Sequence, residues 1–120
     1  FQLRKASKRI ATRKHLNALA PNFIHSLDAA AEVLTFNNLL TAKIDNFLGQ
    51  HDSYGCLAAD APTVYRVIRK TWSQMFADDL LSMFADHIRF ELPKSASLPE
   101  LPRYGTLDPT QINESPYFFS

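Results

Sequence analysis

The chain has 120 residues, of which 46% are hydrophobic and 21% are charged. That length supports one compact domain at most, and the composition excludes a disordered chain. No apolar run approaches the roughly 20 residues that a membrane-spanning helix needs, and the basic first fourteen residues lack the apolar stretch of a signal peptide. The single cysteine, Cys56, excludes an internal disulfide framework or a structural zinc cluster and fits a reducing compartment.

The charges are unevenly distributed along the chain. Residues 28–120 contain twelve acids and seven bases, a balance of −5, whereas residues 1–27 contain no acid. The bases of this first stretch are Arg4, Lys5, Lys8, Arg9, Arg13 and Lys14. A basic arm over residues 1–20, joined to an acidic body, favours contact with a polyanion such as nucleic acid, although a solvated terminus has the same composition.

The first half of the chain predicts an arm, a helix and a hairpin. The first ten residues are compatible with a strand or an extended arm, and a modest helix over residues 11–20 should end at Pro21. The next helix should begin at Ser26 or Asp28, which can cap it, and should run to about Lys43. Residues 44–50 then predict a strand, followed by a polar turn at 51–53 and a second strand through residue 57.

The second half predicts two helices and a long tail. Asp60 and Pro62 are typical of a helix start, and Asp78 or Asp79 should begin the following helix. From residue 92 onward, Pro93, Pro99, Pro102 and Gly105 predict an extended surface segment, with a short helix after Asp108. Successive aromatic residues close to the end indicate a docked tail, because free termini are usually polar. The predicted fold is α+β and mainly helical, with the hairpin between helices.

Two positions are candidates for chemistry. Asp52 lies at the predicted hairpin turn, where two paired strands can hold a carboxylate rigidly for a divalent metal ion such as Mg²⁺. Asp is also common in ordinary turns, so the residue type alone does not decide between the two roles. His25 lies at a predicted helix start, where an imidazole can bond to sugar hydroxyls or phosphates, or simply to the local backbone.

Three segments, taken in order, resemble the single-subunit DNA-directed RNA polymerases of the phage and mitochondrial type. They are APNFIHSLD at residues 20–28, QHDSYG at residues 50–55, and YFFS at residues 117–120. The second segment resembles motif C of the palm subdomain, and the helix that starts at Asp60 matches the next element of that family. The resemblance covers roughly residues 16–120 and implies a C-terminal palm and fingers fragment.

The resemblance also implies residue roles. Asp52 would be one of two catalytic aspartates that hold two Mg²⁺ ions, and His51 would flank the metal site. His25 would lie near the incoming ribonucleoside triphosphate and help to sense its 2′-hydroxyl. The last residues, Phe118, Phe119 and Ser120, would fold back towards the active site.

The same resemblance implies that much of the enzyme is missing. The second aspartate, the fingers helix and the promoter-binding region of the family lie upstream, and Ala31 stands where the family usually has a histidine. We therefore expect the chain to be inactive alone and to need the rest of the polymerase, in cis or as a separate subunit. We also expect exposed apolar surface on the hairpin and on residues 28–42.

The predicted organisation is a basic arm (1–20), a palm portion (21–91) and a tail that docks near the active site (92–120). Expected partners are a DNA template, an RNA product and ribonucleoside triphosphates, with no membrane. The expected location is a phage-infected cell or virion, or alternatively the mitochondrial matrix. Two other readings stay open: a non-catalytic nucleic-acid-binding or interaction module, and a fragment of a related family A-type DNA polymerase, although Ser53 favours the RNA polymerase branch.

Overall fold

Helices dominate the structure, a computed structural model that describes residues 10–50 and 52–118. In chain order the elements are α1 (Thr12–Thr41), β1 (Phe47–Gln50), β2 (Ser53–Cys56), α2 (Ala61–Ala77), α3 (Leu80–Glu91) and a 3₁₀ helix (Pro109–Asn113). The predicted mainly helical α+β fold, with a hairpin between helices, is thereby confirmed. Within these residues no helix combines the length and the apolar character needed to cross a membrane.

The prediction that Pro21 ends a helix is wrong, because α1 runs through it for 30 residues. A proline inside a helix removes one backbone hydrogen bond and crowds the preceding turn, but the Ala- and Leu-rich residues on both sides favour helix. The prediction that Ser26 or Asp28 starts a helix is wrong for the same reason. The Ser26 hydroxyl instead donates to the carbonyl of Phe23 at 2.6 Å.

The hairpin is antiparallel, with Phe47 paired to Cys56 and Gln50 paired to Ser53. Its side chains alternate between an inner, partly buried face and an exposed face, as the pleat of a strand requires. The inner face packs on α1, where the rings of Phe36 and Phe47 lie 4.9 Å apart. The predicted hairpin is confirmed, although its first strand begins at Phe47 rather than Ile44.

Gly49 permits a close approach between the hairpin and α1. A Cβ atom added at Gly49 would lie 2.1 Å from Cζ of Phe36 and 2.7 Å from Oε1 of Glu32. The Phe36 ring is held by aromatic neighbours and has little room to move. The small residue therefore sets the distance between the two elements.

Gly49→Ala is expected to destabilise the chain by about 1–3 kcal/mol, the usual range for overpacking a close contact. Urea unfolding followed by circular dichroism measures the change. Gly55→Ala is the matched control, because its added Cβ would meet Leu48 Cβ at an ordinary 3.6 Å. Equal unfolding midpoints for the two variants would contradict this account of Gly49.

The starts of the later helices follow local capping chemistry. Asp79, rather than Asp78, caps α3 by accepting from the backbone N–H of Ser82 at 2.9 Å. Asp108 caps the 3₁₀ helix by accepting from the N–H of Thr110 at 2.9 Å, and this hydrogen bond lowers the pKa of Asp108. Asp60 precedes α2 as predicted, with Pro62 in the first turn, but its side chain makes no capping hydrogen bond.

The core lies where α1, α2 and the hairpin meet. Its fully packed centre consists of Leu39, Val64 and Ile68, which are at most 5% exposed. Asn38 ties α1 to α2 by donating to the Thr71 hydroxyl at 2.8 Å. Partly buried apolar side chains surround this centre: Phe36, Ile44, Phe47, Tyr54, Cys56, Val67, Trp72 and Phe118.

Large apolar side chains also face solvent on α1 and the hairpin. Val33 is 57% exposed, Leu40 is 55% exposed and Leu48 is 69% exposed, as expected for residues 28–42 and the hairpin. The radius of gyration is 19.0 Å, whereas a compact chain of this length has about 14 Å. The chain is thus more extended than a compact domain of its length, and it leaves apolar surface exposed on α1 and the hairpin.

The tail returns along α3 and α2. The Tyr104 hydroxyl donates to the Asp79 carboxylate, and Asn113 donates to the Ser73 hydroxyl at 3.0 Å. Further along, the ring of Phe118 lies 5.7 Å from Trp72, whereas Tyr117 is 87% exposed. The segment between residues 104 and 118 is therefore attached at several points rather than free.

Tyr104→Phe is expected to lower stability at neutral pH and to matter less in acid. The hydrogen bond from Tyr104 holds the pKa of Asp79 below its ordinary value of 3.8. A lowered carboxyl pKa contributes stability above pH 3.8, and that contribution is lost as the pH falls through the folded-state pKa.

Urea midpoints at neutral pH and near pH 3 measure this difference. Tyr117→Phe is the control, because that side chain is exposed and should show no pH-dependent difference. A Tyr104→Phe deficit that is equally large at both pH values would contradict the assignment.

Candidate active-site groove

A groove of about 890 Å³ opens between α1, the hairpin and α2. We call it the central groove. Its lining residues are His25, Asp28, Ala29, Glu32, Asp52, Tyr54 and Trp72. It therefore brings together His25 and Asp52, the two candidates for chemistry that the sequence indicated within the described residues, although they lie 27 positions apart along the chain.

Asp52 reaches the groove from the hairpin turn. The pairing of Gln50 with Ser53 leaves only two residues to connect the strands, so the turn is short and held from both sides. The Asp52 carboxylate is exposed, and the Ser53 hydroxyl lies 3.5 Å from its Oδ1. His51, the other predicted residue of this turn, lies outside the described residues.

α1 supplies one wall of the groove. His25, Asp28 and Glu32 are spaced by three and four residues, which places them on one face of a helix. This part of α1 packs against α3 through Phe23 and Phe84, whose ring centroids lie 4.6 Å apart. The unbroken path of α1 through Pro21 therefore sets the direction in which His25 faces.

Tyr54 and Trp72 form the apolar part of the lining. Burial raises the pKa of Tyr54, and the negative charges of Glu32 and Asp52 raise it further, whereas the polar groups of Thr35 and Trp72 beside it act in the opposite direction. The Tyr54 hydroxyl therefore stays protonated at neutral pH. Trp72 stacks on Phe76 with ring centroids 5.5 Å apart.

The groove is acidic. Asp28, Glu32 and Asp52 line it without a lysine or arginine among the lining residues. Carboxylate oxygens are suitable ligands for Mg²⁺, which also takes water and phosphate oxygens. In the part of the chain that the structure describes, no three His, Cys, Asp or Glu side chains converge as a metal site. A metal ion bound at Asp52 would therefore need ligands from a substrate or from another part of the protein.

The remaining predicted residues are dispersed. Arg13 and Lys14 lie in the first turn of α1, about 17 Å along the helix from His25. Arg4, Lys5, Lys8 and Arg9 precede the described residues, and Phe119 and Ser120 follow them. Phe118 does not line the groove itself but packs on Trp72, which does.

Sequence reasoning missed Glu32, Tyr54 and Trp72 as lining residues. Glu32 follows His25 by seven residues, so helical spacing would have indicated it had α1 been taken as continuous. For Tyr54 the available signal was its position in the sequence, two residues after the candidate Asp52. Trp72 carries no local signal, because only the packing of α2 on the hairpin brings it to the groove.

Comparison with known proteins gives a family match over most of the chain. A family model described as DNA-dependent RNA polymerase matches residues 1–97. The chain is 30% identical over 118 residues to DNA-directed RNA polymerase 2A of Nicotiana tabacum, which covers 98% of this chain and 35% of that relative. No solved structure matches.

Two further relatives show the same coverage of this chain. It is 30% identical to DNA-directed RNA polymerase 1, mitochondrial, of Arabidopsis thaliana, over 98% of this chain and 12% of that protein. It is 27% identical to DNA-directed RNA polymerase 1A of Nicotiana tabacum, over 98% of this chain and 75% of that protein. The chain thus spans about a third of the length of the first relative named above and about an eighth of the Arabidopsis protein.

Proposed function

This chain belongs to the phage-type, single-subunit family of DNA-dependent RNA polymerases, and on that premise we propose that it forms the C-terminal palm portion of such an enzyme. The proposed reaction is template-directed RNA synthesis. The 3′-hydroxyl of the RNA attacks the α-phosphate of a ribonucleoside triphosphate, a new phosphodiester bond forms, and pyrophosphate leaves.

The observation that carries the proposal is the meeting of Asp52 and His25 in one acidic groove. The Asp52 carboxylate, held at a short turn, would be a ligand for Mg²⁺ in the groove. When bound, Mg²⁺ supplies charge stabilisation at the attacking and leaving oxygens. Glu32 and Asp28 add negative charge that favours cation binding at the same place.

His25 would act on the nucleotide rather than on the metal. It faces the groove from α1, a rigid helix, and an imidazole can donate or accept a hydrogen bond at a ribose hydroxyl. Arg13 and Lys14, about 17 Å away along α1, would neutralise phosphates of the template or product together with the other bases of the arm.

The proposed activity belongs to the complete polymerase. One carboxylate does not complete a two-metal site, and the chain spans 35% and 12% of two of the relatives described above. The exposed apolar residues of α1 and the hairpin would be covered by the remaining portion, in cis or as a partner subunit. The 120-residue chain alone should therefore not incorporate nucleotides.

Template-directed incorporation tests the proposal. The complete polymerase, with the remaining portion in cis or as a partner subunit, should extend RNA on a DNA template with ribonucleotides and Mg²⁺, whereas the 120 residues alone should not. Preference for deoxyribonucleotides would support the DNA polymerase alternative. Nucleic-acid binding without incorporation by the complete assembly would support the binding-module alternative.

His25→Ala is expected to reduce the preference for ribonucleotides over deoxyribonucleotides by roughly three- to tenfold, the value of one hydrogen bond to the 2′-hydroxyl. Competition between ATP and dATP at equal template occupancy measures it. His15→Ala is the control, because His15 lies on α1 outside the groove. An unchanged preference in His25→Ala would remove His25 from the proposed nucleotide site.

We also propose a mitochondrial location. The Arabidopsis thaliana relative carries the word mitochondrial in its name, which favours the mitochondrial alternative over the phage-infected cell. Cell fractionation with an antibody against this chain tests the location. Recovery outside organelles would contradict it.

A further inference from the structure

We propose that Arg69 is a positioning residue for nucleotide incorporation. It holds the tail in place, and Phe118 of the tail then packs against Trp72, which forms one wall of the central groove. The inference rests on the proposed function and adds to it a residue outside the groove. It concerns three consecutive contacts: Arg69 with Ser115, Phe118 with Trp72, and Trp72 with the groove.

Arg69 is a buried cation that donates two hydrogen bonds to one backbone carbonyl. It is only 2% exposed, and its Nε and Nη2 both donate to the Ser115 carbonyl, at 3.2 and 2.6 Å. Its guanidinium lies 3.3 Å from the ring centroid of Tyr65, whose hydroxyl in turn lies 3.5 Å from the Pro116 carbonyl. Arg69 pairs with no carboxylate among the described residues.

This contact sets the register of the tail. Apolar contacts are non-directional and tolerate sliding, whereas two hydrogen bonds to one carbonyl select a particular residue. An apolar side chain of similar size would fill the space without the penalty of burying a charge. What the guanidinium adds is therefore the placement of Ser115, and with it the placement of the residues that follow.

Phe118 packs against the lining of the groove, and its position depends on the placement of Ser115. It lies three residues beyond Ser115, with its ring 5.8 Å from the Arg69 guanidinium and edge-on to Trp72 at 5.7 Å. Arg69 and Trp72 are three residues apart on α2, so one aromatic ring can reach both. Phe118 therefore packs on a side chain that lines the groove together with Asp52 and His25.

A change at Arg69 should act on nucleotide binding more than on the chemical step. Arg69 does not line the groove and touches no proposed substrate atom. Release of Ser115 would free Phe118 and let the Trp72 wall shift, which widens the nucleotide site without altering Asp52. A misplacement of about 1 Å caused by a remote residue can weaken function by up to about a hundredfold.

The test uses the complete polymerase that carries this chain, with steady-state ribonucleotide kinetics. Arg69→Met should raise KM for the ribonucleotide by about three- to thirtyfold while kcat changes by less than about threefold. Arg69→Lys, which keeps the charge and a donor, should show a smaller rise in KM. Arg66→Met is the matched control: Arg66 lies on the same helix, is exposed, and donates to the Pro62 carbonyl and the Thr63 hydroxyl within its own helix.

A second variant shows whether Arg69 acts through the tail. Phe118→Ala should raise KM by a similar factor with Arg69 in place, and the double variant should equal the larger single effect rather than their product. Hydrogen exchange of residues 109–118 should accelerate in Arg69→Met but not in Arg66→Met. If Arg69→Met fails to fold, Phe118→Ala alone decides the matter.

Each outcome bears on the inference. Faster tail exchange with an unchanged KM would leave Arg69 a structural anchor and overturn the inference, as would an unchanged KM in Phe118→Ala or multiplicative effects in the double variant. If the unsubstituted polymerase incorporates ribonucleotides, such a result overturns the inference alone. If the unsubstituted polymerase incorporates none, the proposed function fails and the inference fails with it.

Discussion

Asp52→Asn is expected to slow ribonucleotide incorporation by the complete polymerase by roughly a thousandfold. The amide has nearly the same shape as the carboxylate but carries no negative charge, so it would no longer hold Mg²⁺ at the hairpin turn. Metal-assisted stabilisation of the transition state amounts to several kcal/mol, which corresponds to a loss in kcat of roughly a thousandfold. Single-turnover extension of a labelled RNA primer measures the loss.

Template binding by the same variant should stay within about twofold of the unsubstituted protein, because phosphate contacts by basic residues dominate such affinity. Asp45→Asn is the matched control: Asp45 precedes β1, is exposed and does not line the central groove. It should leave both kcat and binding unchanged. Retained turnover in Asp52→Asn would remove this residue from catalysis and favour the binding-module alternative.

Leu39→Ala is expected to give the largest loss of stability, about 2–5 kcal/mol, because truncation of a buried leucine removes transfer energy and leaves a cavity. Leu39 is 0% exposed and packs with Val64 and Ile68 at the centre of a small core. The most protected amides of α1 and α2 should therefore exchange at least about thirtyfold faster. Hydrogen exchange resolved by peptide measures this for both helices.

Leu40→Ala is the control for Leu39→Ala, since Leu40 is the next residue on α1 and is 55% exposed. In the 120-residue chain it should change exchange by less than about fivefold. In the complete polymerase its effect should increase, because we propose that the missing portion covers this face. Equal effects of the two variants in the short chain would contradict the placement of the core.

The sequence by itself determined the elements whose cause is local. The Asp79 and Asp108 caps, the proline in the first turn of α2 and the turn between β1 and β2 all depend on residues within three or four positions of one another. Local chemistry of this kind is nearly the same in any fold. The sequence likewise indicated Asp52 and His25 as candidates, because motif resemblance needs only the order of residues.

Only the tertiary structure decided how these elements meet. The continuation of α1 through Pro21 overrides a local preference, and it brings Glu32 to the same face as His25. Trp72 reaches the groove because α2 packs on the hairpin. The hydrogen bonds from Arg69 to the Ser115 carbonyl join residues that lie 46 positions apart in the chain. Such contacts gain their free energy from burial and directional hydrogen bonds between distant residues, which no short stretch of sequence contains.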